Sequence, residues 1–140
     1  MKILLALDGS KFSKKMLAYL VTHDELFGAQ HEYELLTVVP ALPPRARNAV
    51  GKQIADQYYH DEAEKVLAPA STFCERHGLH AKGSYKVGAA AELIVKAAAA
   101  GRSDLIVMGS HGHGALGSLV LGSVTNGVLA RSTVPVLVIR

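Results

Sequence analysis

One cysteine stands among 140 residues. Cys74 has no partner for an internal disulfide, so a packed core must hold the fold, and the cytoplasm is the expected compartment. No apolar run approaches the roughly 20 residues that a membrane helix needs. The apolar stretch at residues 3–7 ends at Asp8 and is too short for a secretory signal. Charge is also sparse: 19% of residues are charged and 49% hydrophobic, a balance that excludes intrinsic disorder. The formal net charge is only +3, with no block of Lys and Arg and no alternation of basic and aromatic residues. Nucleic acid and membrane are therefore not expected partners. Acidic residues run out at Asp104. Arg131, Arg140 and two histidines follow it, an asymmetry that suits a polyanion.

The chain has the length of one domain, residues 1–140. Its hydrophobic period switches repeatedly between that of a strand and that of a helix. Residues 2–7 form a short apolar run that reads as a buried strand ending at Asp8 and Gly9. Phe12, Met16, Tyr19, Leu20, His23 and Phe27 recur at helical spacing, with Ser10 as N-cap and Gly28 as stop. Residues 34–39 make a second strand, and the proline-rich stretch 40–48 reads as a loop. Ala63, Val66, Leu67, Ala70, Phe73, Cys74 and His77 form a second helical stripe. Pro69 lies within it and should kink it near Lys65. A strand at 81–87, a helix at 89–100, a strand at 104–108, a helix after the glycine-rich loop and a strand at 134–139 complete the chain. Cys74 falls on an apolar helix face, where it reads as core.

Five strands alternating with four helices predict a single three-layer α/β domain with a parallel sheet covered on both faces. In such sheets a ligand binds beyond the carboxyl ends of the strands, where the winding reverses. With strand order 3-2-1-4-5, a flavodoxin-like arrangement, that crevice lies between the ends of the first and fourth strands. Asp8-Gly9 ends the first, and Gly109-Ser110-His111-Gly112 ends the fourth.

The stretch GSHGHGALGSLVLGSVT, from Gly109 to Thr125, carries the most information. Glycines permit close approach of backbone amides and φ > 0. A helix N-terminus adds unpaired N–H groups and partial positive charge, which together make a phosphate cradle. The P-loop pattern is missing, since no Gly-Lys-Ser/Thr occurs. Gly112-x-Gly114-x-x-Gly117 matches the dinucleotide fingerprint. It follows the fourth strand, however, and no downstream acid is present to hold a ribose. Phosphate binding also needs the amides around Ser123 unpaired. The regular helix is therefore expected to start close to Gly122, with residues 118–121 as loop or loose turn.

Gly109-x-x-Gly112, nine residues, then Gly122-Ser123 resembles the nucleotide-binding signature of the universal stress protein family. ILLALDGS at the start, ELLTVV in the second strand, DLIVMGSHGHG in the fourth and LGSV followed by STVPVLVIR at the end extend that resemblance over the whole chain. It implies a small cytoplasmic regulator of the ATP-binding branch, with ATP, AMP or ADP as ligand and at most slow hydrolysis. On the same basis, backbone groups of Gly109, Gly112, Gly122 and Ser123 would hold phosphates, with the Ser123 hydroxyl, Val124 and Thr125 at the β- and γ-phosphates. Asp8 would face the ribose or a divalent cation such as Mg2+ carried by the nucleotide. Val38 would read the adenine through its backbone, and Ala6, Leu7 and Met108 would line the pocket. Where the family often has arginine, His111 and His113 stand in the loop, so phosphate affinity is expected to depend on pH.

The resemblance also implies a homodimer formed through the last strand, Val134 to Ile139, an apolar edge with unpaired backbone groups. Other readings remain open at this stage. The same fold could act without nucleotide as a protein-interaction module. Arg45 and Arg47 could be solvated or could fold over the phosphates. His111 and His113 lack a third ligand in register for a metal. No nucleophile–base set is placed by motif, so no catalytic residue is assigned.

Overall fold

The computed structural model describes residues 1–114 and 120–140. Among these the elements run β1 (Lys2–Leu7), α1 (Lys11–Thr22), α2 (Asp24–Phe27), β2 (Glu32–Val39), α3 (Pro44–Val50), α4 (Lys52–Arg76), β3 (Ala81–Val87), α5 (Ala90–Ala100), β4 (Leu105–Gly109), α6 (Ser123–Arg131) and β5 (Val136–Ile139). The strands form one parallel sheet in the order β3-β2-β1-β4-β5, the expected topology.

The central strand explains the layering. Ile3, Leu4 and Leu5 of β1 are fully buried, which requires cover on both faces. Ile3, Leu5 and Leu7 point to the side packed by Met16 and Leu20 of α1 and by Ala63, Leu67 and Cys74 of α4. Leu4 and Ala6 point to the other side, against Ile94 and Ala98 of α5 and Val128 of α6. Cys74 is core, and burial pushes its thiol up to about 11.

Six helices, not four, occur among the described residues. The expected first helix is broken at His23, whose backbone leaves helical geometry at φ −126° and ψ 54°; its Nδ1 lies 2.8 Å from the Tyr19 carbonyl oxygen and its ring stacks on Tyr19. Its backbone N–H donates to the Leu20 carbonyl and closes α1, after which Asp24 and Glu25 open the short α2. The stretch 40–48 is loop only in its first half. Pro44 starts α3, because proline is compatible with a first helical position, where an amide would lack a partner anyway. The second stripe belongs to a helix of 25 residues that runs on through Pro69. The last strand covers Val136–Ile139 rather than 134–139.

Two glycines report how closely elements approach. Gly9 has φ +78° and turns the chain out of β1. At Gly127 on α6, an added Cβ would come within 2.6 Å of the Ala91 methyl on α5. Gly127→Ala is therefore expected to force the two helices apart and to destabilise the domain by about 1–3 kcal/mol in urea titrations.

Candidate nucleotide cleft

All thirteen residues singled out from the sequence line one cleft, of about 680 Å³, at the carboxyl end of the sheet. They are Ala6, Leu7, Asp8, Val38, Met108, Gly109, His111, Gly112, His113, Gly122, Ser123, Val124 and Thr125. That volume lies within the roughly 300–1,000 Å³ of small-molecule sites. The two strand ends meet because β1 pairs with β4 up to Ala6 and Met108, one step short of Leu7 and Gly109.

At the end of β1, Asp8 is held rigidly. Its Oδ1 accepts from the Ser10 N–H at 2.9 Å and from the Ser13 hydroxyl at 2.8 Å. The Asp8 N–H in turn donates to Ser13 Oγ at 3.0 Å. Ser10 caps α1, as expected, by accepting from the Ser13 N–H. Burial raises the Asp8 carboxyl pKa. The hydrogen bonds from Ser10 and Ser13 and the charge of His113 outweigh it and keep the group below the ordinary aspartate value. The second oxygen, Oδ2, faces Gly112.

The three motif glycines owe their identity to close approach, not to a left-handed backbone, since positive φ occurs at Gly114 but at none of Gly109, Gly112 and Gly122. A Cβ on Gly109 would meet the backbone of Phe12 at 3.0 Å. On Gly112 it would strike the Asp8 carboxylate, and on Gly122 it would press on the His111 Cα at 3.1 Å. The protein itself thus fills the space that a side chain would need.

α6 begins at Ser123 with Gly122 as N-cap, close to the expected start. Val120 and Leu121 lie outside the helix, while Ser118 and Leu119 fall outside the described residues. One expected donor is already engaged: the Gly122 N–H donates to the Ser110 carbonyl at 2.8 Å. The Thr125 hydroxyl is likewise committed, to the Gly109 carbonyl at 3.0 Å, and the residue is buried. The amides of Ser123, Val124 and Thr125 are the first three of the helix, with no capping side chain and no recorded acceptor among the described residues. The unpaired donors are therefore displaced by one residue from Gly122 itself.

Backbone alternation gives Val38 a role that its side chain does not. The Glu32 N–H donates to Met1 on the β1 side, whereas the Val39 carbonyl accepts from Gly88 on the β3 side. Val38, an even number of residues from Glu32, therefore directs its polar groups toward β1. Pairing with β1 stops at Leu7 opposite Thr37. The Val38 carbonyl thus lies beyond the last partner, at the cleft. Its side chain packs with Leu36, Ile94 and Met108 on the α5 side.

The two loop histidines diverge. The His111 ring packs on Phe12, with centroids 5.0 Å apart, and its Nδ1 is 2.8 Å from Ser110 Oγ. His113 reaches back to β1, with Nε2 2.8 Å from the Asp8 carbonyl oxygen. Among the described residues no three His, Cys, Asp or Glu side chains converge as a metal site. Arg45 and Arg47 are exposed on α3 and do not line the cleft. The sequence reading missed Thr37, Glu62, Lys65 and Val66, which line the cleft from β2 and α4. Glu62 and Lys65 pair with each other at 2.7 Å. Only the position of α4 brings them there, and no local motif marks it.

The model of the universal stress protein family matches residues 1–140. A universal stress protein of Thermus aquaticus is 36% identical over 99% of this chain and 97% of its own length. The solved structure of MJ0577, a universal stress protein of Methanocaldococcus jannaschii, is 30% identical, with a TM-score of 0.80 over 99% of this chain and 94% of that one. An Arabidopsis thaliana protein of the same family, solved with AMP bound, shares the fold at 17% identity and a TM-score of 0.70, covering 99% of this chain and 90% of its own. Among the described residues no helix is long and apolar enough to cross a membrane.

Proposed function

This chain belongs to the universal stress protein family, and on that premise we propose that it is an adenine-nucleotide-binding regulator. Its ligand is ATP, or the AMP or ADP related to it. The observation that carries the reading is the set of unpaired first-turn amides at Ser123, Val124 and Thr125, set on the same cleft as Asp8. Three amides and a helix dipole fit a phosphate. The Asp8 Oδ2 is the acceptor for ribose hydroxyls. The Val38 carbonyl accepts from an exocyclic amino group, which adenine presents and the oxo edge of guanine does not. The AMP held by the Arabidopsis relative is consistent with this ligand class.

A divalent cation would arrive on the phosphates, with Asp8 as its protein ligand, and would neutralise charge there. Among the described residues the lining offers one permanent cation, Lys65, which pairs with Glu62. The bound nucleotide acts by biasing a surface that a partner reads.

Self-association completes the proposal. The two sheet edges differ. β3 carries exposed Lys82 and Lys86, which oppose strand addition, whereas β5 is a short apolar strand without charge. A two-fold pair through β5, with Val134 and Pro135 leading into it, covers the unprotected edge.

Calorimetry of the purified chain with ATP, AMP and GTP, each with and without Mg2+, tests the reading. Adenine nucleotides are expected to bind at one site per chain and GTP at least tenfold more weakly, the discrimination expected of one mispaired polar contact. Absence of adenine binding would favour the nucleotide-free interaction module instead.

A further inference from the structure

We propose that His113 is a positioning residue: its imidazole N–H pins the glycine-rich turn to the end of β1 and so sets how tightly the cleft holds the nucleoside, without itself contacting phosphate. The inference rests on the nucleotide reading above and deepens it. A carbonyl oxygen can only accept, so the Nε2 that lies 2.8 Å from Asp8 O carries a hydrogen and donates it. That donor is present whether the ring is neutral or charged. A phosphate contact through Nε2 would cost this bond.

The surroundings are shaped for the contact. Asp8 is a fixed post, because its carboxylate and its own N–H are tied to Ser10 and Ser13. Gly112, the residue before His113, lies against the Asp8 carboxylate. Two successive loop residues therefore grip one aspartate, at its side chain and at its carbonyl. The imidazole passes beside Gly9, where an added Cβ would stand 3.9 Å from His113 Nε2, in ordinary contact, and 3.1 Å from Val66 Cγ2.

The consequence concerns the distance between two halves of the site. On the α6 side the turn is tied by the Gly122 N–H to Ser110 O and by the Thr125 hydroxyl to Gly109 O. On the β1 side His113 donates to the Asp8 carbonyl, beside the Gly112 contact with the Asp8 carboxylate and the His111 ring on Phe12. Without that hydrogen bond, the turn is held to β1 by packing alone among these contacts and can shift with α6. The sugar acceptor and the phosphate donors then lose their fixed spacing, and affinity falls through lost pre-organisation.

Calorimetry on the full chain with adenosine and with AMP, for wild type, His113→Ala and His113→Gln, tests this. His113→Ala is expected to weaken both ligands by the same factor, about three- to tenfold, the value of one neutral hydrogen bond. His113→Gln, whose side-chain amide can donate from about the same place, is expected to restore both. A loss confined to AMP would make His113 a phosphate ligand and overturn the proposal. So would unchanged affinity in His113→Ala, or failure of glutamine to restore it. If the wild type binds neither ligand, the nucleotide reading fails, and NMR contacts between the turn and β1 still decide the pin. Nuclear Overhauser contacts between Gly112 and Asp8 should then weaken in His113→Ala and persist in His113→Gln, and equal contacts in all three would sink it.

Discussion

Gly112→Val is expected to remove nucleotide binding almost completely while leaving the sheet intact. A Cβ at this position runs into Oδ2 of Asp8, and valine adds two further methyls to that collision. Relief has two routes. Either Asp8 swings away and releases the Ser10 N–H and the Ser13 hydroxyl, or the turn lifts off β1 and carries His113 with it. Each route separates the ribose acceptor from the amides of Ser123, Val124 and Thr125. Hydrogen bonds to a charged group are worth about 1.5–3 kcal/mol each, so an affinity loss of about a hundredfold is expected. Gly112 itself lies in the turn, outside every strand and helix, so the melting temperature should drop by only a few degrees. Calorimetry beside thermal melting separates the two effects. Binding within threefold of wild type would show that the nucleotide does not use this face of Asp8.

Much of this was legible in the sequence, for reasons that can be named. The uninterrupted apolar runs of β1 and β4 announce strands buried on both faces, and strand order then brings Asp8 and Gly109 together. The spaced glycines locate the cleft without coordinates. What the sequence conceals is the reason for those glycines. Close approach to a ligand or a left-handed backbone was expected, yet Gly109, Gly112 and Gly122 are required by contacts with Phe12, Asp8 and His111, residues distant along the chain or across a turn. The same holds for the displaced donors. Nothing local in GSVT says that the Gly122 amide turns back to Ser110 while the next three amides remain unpaired. Helix breaks are similarly hidden. His23 continues the apolar period, but its ring competes for the Tyr19 carbonyl and ends α1. Glu62 and Lys65 reach the cleft only because α4 is long and crosses β2 and β3, a tertiary fact with no signal at those positions.

Asp8 should divide its two duties between two substitutions. In Asp8→Ala, the Ser13 hydroxyl and the Ser10 N–H lose their acceptor in a largely buried corner. A stability loss of about 2–4 kcal/mol is expected, together with loss of nucleotide binding. Asparagine keeps an oxygen at the Oδ1 position, so Asp8→Asn should cost only about 1 kcal/mol while still weakening nucleotide binding about tenfold. Acid titration adds an independent sign. Burial opposes the charge on Asp8, but the Ser10 and Ser13 hydrogen bonds and the His113 charge prevail, so the folded carboxyl titrates below the value of about 3.9 of an unfolded one. Its contribution to stability is therefore complete above that unfolded value and is lost as pH falls through the lower folded one. The wild type should lose its advantage over Asp8→Asn across that acid window and keep it unchanged from pH ~5 upward. Urea midpoints for both proteins at pH 7 and in the acid range check the sign. An advantage that grows on acidification would mean that Asp8 is destabilised by its burial, and the arrangement of Ser10, Ser13 and His113 around it would then need another explanation. Should Asp8→Asn instead bind AMP as tightly as the wild type, the carboxylate serves only to hold the start of α1, and the ribose must be recognised by the backbone beside it.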